Sequence, residues 1–225
     1  VVTYSDDGGR TYKRSGTIFP SNLTAAFLTD GGAGSNEPQL AETPGGDILL
    51  TMRMMTALCS GRNCRTNALS RNGGESFGEA APVPAMVQPD GGCQAAILYH
   101  PPTNTVVYSS PHSSKARKNG VLQVSSDGSS ATWRAGATIY SGSFAYSSIS
   151  LLPSAAGVNS THVAVLFEKD NYHEVAIAWV AVGGGEAARD SKPLRPTAPF
   201  RGWAFGHNVS DEKLYPLGTV NFIPT

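Results

Sequence analysis

Short apolar runs separated by turn-forming residues make up most of the first 182 positions of the sequence. The runs are rich in Val, Ile, Leu and Ala, and they are bounded by Pro, Gly, Asn or Asp, a pattern typical of β-strands. No segment has a convincing helical period. We therefore predict an all-β domain with strands at 47–54, 66–71, 95–99, 105–109, 120–125, 149–152, 162–168 and 174–182.

Composition supports this fold class and excludes several kinds of partner. The 225 residues contain 25 Gly and 15 Pro, and only 15% are charged, which suits many short strands joined by turns. Basic and acidic residues balance at 17 each, so we expect no nucleic-acid partner. There is no apolar run long enough for a transmembrane segment. The first residues, Val-Val-Thr-Tyr-Ser, have neither an initiator Met nor a signal-peptide pattern, which indicates a processed or excised piece.

The cysteines and histidines offer little evidence for redox or metal chemistry. Cys59 and Cys64 bracket a short segment and could close a disulfide, while Cys93 is left over. Because the histidines are scattered, we predict no metal site and no cofactor.

Glycosylation sequons mildly favour a secretory, lysosomal or extracellular location over a cytoplasmic one, and we assign no compartment. About two would arise by chance in a chain of this composition. The sequence has three, at Asn22, Asn159 and Asn208.

A turn motif recurs at 5–12, at 70–77 and, in a looser form, at 125–133. Each copy has Ser, then Asp or Asn, then Gly, then Thr or Ser before an aromatic residue. Asp or Asn caps its own backbone and Gly accepts a positive φ, so each copy predicts a tight hairpin turn. The copies begin about 60 residues apart, which is the period of a four-stranded propeller blade. A composition break follows residue 182, and we leave 183–225 unassigned.

This turn is the Asp box of sialidases, and the sequence from about Tyr4 to Val182 resembles the later part of a family 33 sialidase catalytic domain, of the branch with animal lysosomal and cytosolic sialidases. The motifs fall in the family's order: Glu-Pro-Gln-Leu-Ala-Glu, Met-Arg, an Asp box, Gly-Cys-Gln, Ala-Arg-Lys, an Asp box, Ala-Tyr-Ser-Ser and Leu-Phe-Glu-Lys-Asp. The resemblance implies a six-bladed β-propeller, of which 1–182 would form about four blades with the N-terminal blades missing.

The resemblance also implies a catalytic pair, with Tyr146 as the nucleophile and Glu37 as the carboxylate that activates it. Sialosides need such a pair because they carry a carboxylate on the anomeric carbon. A carboxylate nucleophile would be repelled by on the order of 4 kcal/mol at about 4 Å, even with an effective dielectric constant near 20. A phenol is neutral until its proton leaves.

Arg53 and Arg117 match the second and third members of the family's arginine cluster, which binds the sialic acid carboxylate. A planar guanidinium matches a carboxylate bidentately and stays charged. Arg62 and Arg65 are rivals for Arg53, which keeps the expected spacing from Glu37. The rivals for Arg117 are Lys115, Lys118 and Arg134.

Three further positions match supporting residues. Glu168 corresponds to the glutamate that holds an arginine in place, and Gln94 to a pocket-wall position. Glu42 is the rival of Glu37, and its place after Leu40 and Ala41 indicates instead a structural residue or a partner that supports Glu37. The family's first arginine and its acid/base aspartate would lie upstream of the first Asp box, and Asp6 and Asp7 cannot replace them.

The resulting function hypothesis is an exo-α-sialidase that removes terminal sialic acid from glycoproteins, gangliosides and oligosaccharides. Without the first arginine and the acid, we expect the 225 residues alone to be inactive. The alternative is a non-catalytic Asp-box propeller that binds glycans or proteins. Hydrogen-bond reach between Tyr146 and Glu37, with both arginines on one side, discriminates the two.

Overall fold

The computed structural model describes residues 2–15, 35–55, 59, 61–129, 131–154 and 157–183. Within these ranges the chain forms twelve β-strands, and its one helical piece is the 3-10 turn Pro101–Thr103. The prediction of an all-β fold is confirmed. The described ranges contain no helix that is long and apolar enough to span a membrane.

The strands follow one another in antiparallel order and form three sheets. β1 and β2 make a two-stranded sheet, β3 to β6 make a four-stranded sheet, and β7 to β12 make a six-stranded sheet. Their bounds are β1 Thr3–Tyr4, β2 Lys13–Arg14, β3 Ser35–Glu42, β4 Ile48–Met54, β5 Cys64–Ser70, β6 Ala81–Val87, β7 Ala96–His100, β8 Thr105–Pro111, β9 Lys118–Ser125, β10 Arg134–Ser154, β11 Gly157–Lys169 and β12 Glu174–Ala181.

Strand β10 divides the six-stranded sheet into two blades. Its first part, from Arg134 to Ser143, pairs with β9, and its second part, from Phe144 to Ser154, pairs with β11. Register shifts interrupt both ladders near this change of partner. The described residues therefore form two four-stranded blades, a three-stranded blade and a separate hairpin, in the curled arrangement of a β-propeller.

The first Asp-box turn joins β1 to β2, and the other two join the third and fourth strands of their blades, at β5–β6 and β9–β10. In the first copy the Asp7 carboxylate accepts hydrogen bonds from the Thr11 main-chain N–H (2.9 Å) and hydroxyl (2.6 Å). These bonds from Thr11, together with one from the Ser5 hydroxyl, lower the pKa of Asp7 to about 2. Asn72 takes the same place in the second copy, where it bonds Ser76.

Apolar residues fill the spaces between neighbouring blades, as expected when twisted sheets pack face to face. One cluster lies between the β3–β6 blade and strands β7 and β8, and includes Leu49, Val83, Val106, Tyr108 and Trp133. A second joins β8–β10 to β11 and β12, and includes Leu122, Phe144, Val165, Phe167 and Ala178. These clusters hold the blades, and so their ends, in fixed relative positions.

Besides β1 and β2, which flank the first predicted hairpin turn, three strand regions lie outside the predicted strands. β3 and β6 contain prolines, but each pairs on only one side within the described sheet, where a missing N–H is tolerated. The first part of β10 lacks an apolar run and pairs irregularly with β9. The segment 184–225 and the sequons at Asn22 and Asn208 lie outside the described residues, so their assignments stay predictions.

Candidate active site

Tyr146 and Glu37 meet at the ends of different blades. The Tyr146 hydroxyl donates a 2.7 Å hydrogen bond to Glu37 Oε1. Tyr146 lies on β10 inside the register shift between Phe144 and Ser147, where the strand passes from one blade to the next. The arrangement places a phenol proton directly on a carboxylate oxygen, which is the geometry required for general-base activation.

The backbone of Glu37 is strained. Its φ is +43°, in the left-handed region, and it lies in a bulge of the β3–β4 ladder between Asn36 and Gln39. The following Pro38 further disfavours this conformation, because a residue before proline prefers extended backbone. Such strain costs on the order of 1–3 kcal/mol and is concentrated at functional sites. The bulge turns the Glu37 carboxylate towards Tyr146 instead of leaving it in the alternation of the strand.

Arg53 connects the two members of the pair. At the end of β4, its Nη1 donates to Glu37 Oε2 at 2.9 Å and to the Tyr146 hydroxyl oxygen at 3.3 Å. Its Nε and Nη2 both donate to the Gly91 carbonyl, at 3.2 and 2.8 Å. With only 10% of its side chain exposed, the guanidinium is a fixed charge beside the carboxylate.

The Gly91–Gly92 turn is shaped to receive this guanidinium. Both glycines have positive φ, +73° and +68°. A Cβ on Gly92 would lie 2.5 Å from the Met54 carbonyl oxygen and 2.9 Å from Arg53 Cγ. Only glycine allows the turn to approach β4 this closely, so the turn and Arg53 form one unit.

The charge state of the pair follows from these contacts. Burial raises the pKa of Glu37, but the hydrogen bonds from Arg53 and Tyr146 and the charge of Arg53 outweigh it, so the pKa lies below its ordinary value. The hydrogen bond to Glu37, burial and the Glu37 charge raise the pKa of Tyr146 above its ordinary value, against the opposing effect of Arg53. The resting state is therefore a carboxylate accepting from a neutral phenol.

Gln94 and Glu168 fix the main chain on either side of the phenol. The Gln94 amide donates to the Ser147 carbonyl at 3.0 Å and accepts from the Ser147 N–H at 2.9 Å. Glu168 Oε2 accepts from the Tyr146 N–H at 3.1 Å. The resemblance implied that Glu168 holds an arginine, but among the described residues Glu168 is in no ion pair, and its contact is with the Tyr146 main chain. Both side chains thereby hold β10 in its irregular register.

Arg117 lies on the other side of Tyr146. Its guanidinium carbon is 5.3 Å from the centre of the Tyr146 ring, and its Nη1 donates a 2.8 Å hydrogen bond to the Tyr172 hydroxyl. No carboxylate of the described residues pairs with it. Arg117 thus adds a positive charge with no carboxylate partner next to the Tyr146 ring.

The rival residues lie elsewhere. Glu42 is exposed at the far end of β3, opposite Ile48, so the expectation that it supports Glu37 is wrong. Arg65 is completely buried and bonds Thr51 and the Cys93 carbonyl instead of Tyr146. Other rivals are exposed or paired away from Tyr146: Arg62, Lys115 (3.6 Å from Asp90), Lys118 and Arg134.

The cysteines follow the pattern that the sequence allowed. Cys59 and Cys64 form a disulfide, and Cys93 is a buried free thiol. Burial raises the pKa of Cys93 to about 11, despite the nearby Arg117 and Arg53. The described residues contain no group of three or more His, Cys, Asp or Glu side chains that could hold a metal ion.

The chain is similar in sequence and in fold to known sialidases. No protein-family model matches the chain. The curated anhydrosialidase of Macrobdella decora is 28% identical over 125 residues, which is 54% of this chain and 14% of that protein. The NanB sialidase from Streptococcus pneumoniae is 27% identical with a TM-score of 0.54, over 74% of this chain and 23% of NanB. The Hadza microbial sialidase Hz136 shares the fold, with 19% identity and a TM-score of 0.55, over 80% of this chain and 31% of Hz136.

This chain is sialidase-like in sequence and in fold. The resemblance predicted from the ordered motifs is thereby confirmed. The sialidase-like chain spans less than a third of the length of each of these relatives.

Two parts of the site in this sialidase-like chain were not predicted from the sequence. The Gly91–Gly92 turn that holds Arg53 is visible in the sequence as a Gly-Gly pair just before Cys93, a signal that indicates a close backbone approach. Tyr172 offers a weaker signal. It follows Asp170 and Asn171, two residues that tolerate left-handed backbone, but nothing local predicts its contact with Arg117.

Proposed function

We propose that the protein is an exo-α-sialidase, a retaining glycoside hydrolase that releases terminal sialic acid from glycoproteins, gangliosides and oligosaccharides. The supporting observation is the 2.7 Å hydrogen bond from Tyr146 to Glu37, with Arg53 bonded to both side chains. This unit is suited to one task, which is to make a phenol oxygen nucleophilic without leaving a free phenolate at rest.

In the first step, the Tyr146 oxygen attacks the anomeric carbon of the sialoside while its proton moves to Glu37. The bond from that carbon to the leaving oxygen breaks, and a proton donor protonates the leaving group. In the second step, water attacks the glycosyl-tyrosine and gives up a proton to the donor that was deprotonated in the first step, while the phenol leaves and recovers its proton from Glu37. Two displacements at one carbon retain its configuration.

Positive charge around the phenol supports an anionic substrate. Arg53 is balanced by Glu37, but Arg117 has no carboxylate partner among the described residues, and neither does the buried Arg65. Arg117 lies beside the Tyr146 ring, so we propose that it binds the sialic acid carboxylate directly. Arg53 has most of its N–H groups engaged by the protein, and we propose that it keeps Glu37 ionised and offers its remaining N–H to the ligand.

The proton donor for the leaving group is assigned by the resemblance to an aspartate upstream of the first Asp box. Asp170 and Glu174 are unsuited to this role because both pair with Lys169. The Lys169 contact and the Tyr140 hydroxyl lower the pKa of Asp170, so it stays ionised where an acid must hold a proton.

A second candidate reaction is internal transfer, in which the substrate's own hydroxyl replaces water in the second step. It is favoured by the relative of 28% identity, which is an anhydrosialidase. Both reactions use the same first step at Tyr146, so the product distinguishes them. An anhydro product has the mass of sialic acid less one water.

The alternative of a non-catalytic glycan-binding propeller does not account for the strained Glu37 or for the phenol held against its carboxylate. A binding module gains nothing from this strain.

The test uses the complete polypeptide that contains this sequence and 4-methylumbelliferyl α-N-acetylneuraminide as substrate. We expect fluorophore release, with the α-anomer of sialic acid as the first product in a time-resolved proton NMR spectrum. Appearance of the β-anomer first would contradict the double displacement. An anhydro product would support internal transfer, and no release by the complete polypeptide would support the binding module.

A further inference from the structure

The turn after β11 has an unusual backbone. Three consecutive residues other than glycine have left-handed φ: Asp170 at +50°, Asn171 at +55° and Tyr172 at +71°. Asp and Asn tolerate this region, but for a bulky aromatic residue it is an outlier. Such a conformation persists only where the surrounding structure enforces it, and it is found preferentially at functional sites.

Contacts with β10 enforce this turn. The Tyr140 hydroxyl donates to Asp170 Oδ1 at 2.9 Å, and the Asp170 N–H donates to the Ser143 carbonyl at 3.3 Å. The Asn171 N–H donates to Ser143 Oγ at 3.0 Å, and the Ser143 hydroxyl donates to Asn171 Oδ1 at 3.2 Å. Lys169 also pairs with Asp170. Together these contacts fix Asp170 and Asn171, and none of them involves Tyr172.

The contact made by Tyr172 is with the candidate active site. Its hydroxyl accepts a 2.8 Å hydrogen bond from Arg117 Nη1, although 57% of the residue's surface is exposed. The same Arg117 lies over the Tyr146 ring. The strained turn therefore brings an exposed phenol from β11–β12 to the guanidinium that flanks the nucleophile.

The chemistry of this partner matters. A carboxylate beside Arg117 would neutralise its charge and compete with an anionic ligand for the guanidinium fork. A phenol oxygen accepts one N–H, restrains the side chain and leaves the charge uncompensated. Arg117 would thus be oriented before the ligand arrives, which lowers the entropy lost on binding.

We propose that Tyr172 is a positioning residue, which holds Arg117 in the orientation that binds the carboxylate of the substrate. This inference rests on the proposed sialidase function. Because Arg117 binds the carboxylate in both the ground state and the transition state, Tyr172 affects substrate affinity and not the chemical step.

The first test compares Tyr172→Phe with Tyr99→Phe in the complete polypeptide. Tyr99 is a matched control, since its hydroxyl makes one exposed 2.8 Å hydrogen bond, to Asn104, away from the site. With 3′-sialyllactose, Tyr172→Phe should raise KM about tenfold and leave kcat within about twofold, whereas Tyr99→Phe changes neither. An unchanged KM, or a fall in kcat alone, would overturn the proposal.

A double-mutant cycle separates positioning from general loosening of the turn. In an Arg117→Lys background, Tyr172→Phe should change KM by less than about twofold, because its partner is already lost. Effects that multiply in the double variant would show that Tyr172 acts independently of Arg117.

A ligand-free measurement keeps this proposal distinct from the sialidase assignment. Rotation of the Arg117 guanidinium, measured by arginine-selective NMR, should become faster in Tyr172→Phe and stay unchanged in Tyr99→Phe. Unchanged rotation in Tyr172→Phe overturns the positioning role even if the protein cleaves sialosides. Faster rotation in a protein that does not bind sialosides contradicts the proposed function but supports the restraint of Arg117.

Discussion

The Tyr146 hydroxyl and Glu37 Oε1 lie 2.7 Å apart although 109 residues separate them along the chain. Glu37 is on β3, at the first strand of one blade, and Tyr146 is on β10, where the last described blade begins. Packing between three successive blades sets this distance, so the pair depends on the propeller and not on a local motif.

Replacing the proposed nucleophile gives a direct prediction. Tyr146→Phe removes the oxygen and little volume, so we expect kcat for a sialoside to fall by at least about 10³-fold while ligand affinity stays within about threefold. The measurement is steady-state kinetics together with calorimetric titration of N-acetylneuraminate. Tyr99→Phe is the control, and turnover by Tyr146→Phe near that of the control would refute the role of Tyr146.

Arg53 should not tolerate lysine. Its three nitrogens make four hydrogen bonds, to Gly91, Glu37 and Tyr146, and a single ammonium group cannot reproduce that fork. We expect kcat/KM of Arg53→Lys to lie within about tenfold of Arg53→Ala. Arg71→Lys is the control, because the Arg71 side chain is 84% exposed. Recovery of most of the activity by Arg53→Lys would mean that charge alone suffices.

The glycine turn predicts a difference in stability between neighbouring substitutions. Gly91→Ala meets nothing within 4 Å and bears only the cost of a positive φ, about 1 kcal/mol. Gly92→Ala adds a contact of 2.5 Å with the Met54 carbonyl, and we expect it to lose at least about 2 kcal/mol more of the free energy of unfolding. Urea unfolding of both variants measures this difference, and equal losses would contradict the close approach.

The pH dependence follows from the lowered pKa of Glu37. Because its folded-state pKa lies below the ordinary value of 4.5, Glu37 stays ionised until the pH falls below that value. The acid limb of kcat/KM should therefore have its midpoint below about pH 4.5. The stability contributed by this ionisation has the same sign: it is present above the ordinary pKa and is lost as the pH falls through the lowered one.

The check is a pH profile of kcat/KM with a matched variant. Glu37→Gln should be inactive at every pH, because an amide cannot accept the phenol proton. An acid limb with its midpoint above about pH 5 would mean that another group controls activity on the acid side.

The sequence predicted the β-strand class and the elements with clear apolar runs, such as β4, β8 and β12. It did not predict β3 and β6, because Pro38, Pro82 and Pro84 are turn signals locally. The prolines are tolerated because β3 and β6 each pair on one side only, which is a property of the sheet and not of the segment.

For the candidate site, the order of the motifs indicated four residues, and the structure places all four together: Tyr146, Glu37, Arg53 and Arg117. The contacts between them were not predictable. Arg53 bonds a carbonyl 38 residues away and Glu168 bonds the Tyr146 N–H, and both contacts arise from backbone irregularities that side-chain patterns do not encode. Glu42 was misassigned because its place in the strand puts it at the opposite end from Glu37.

The proposed mechanism requires a covalent bond between the Tyr146 oxygen and the sugar. A 3-fluorosialosyl fluoride can trap this bond, because the fluorine at C3 slows hydrolysis of the glycosyl-enzyme and the fluoride is a good leaving group. After incubation with the complete polypeptide and proteolysis, mass spectrometry should find the fluorosialosyl group on Tyr146, and no adduct at this site in Tyr146→Phe. An adduct on Glu37 or another residue, or turnover of this reagent with no adduct at all, would show that Tyr146 is not the nucleophile.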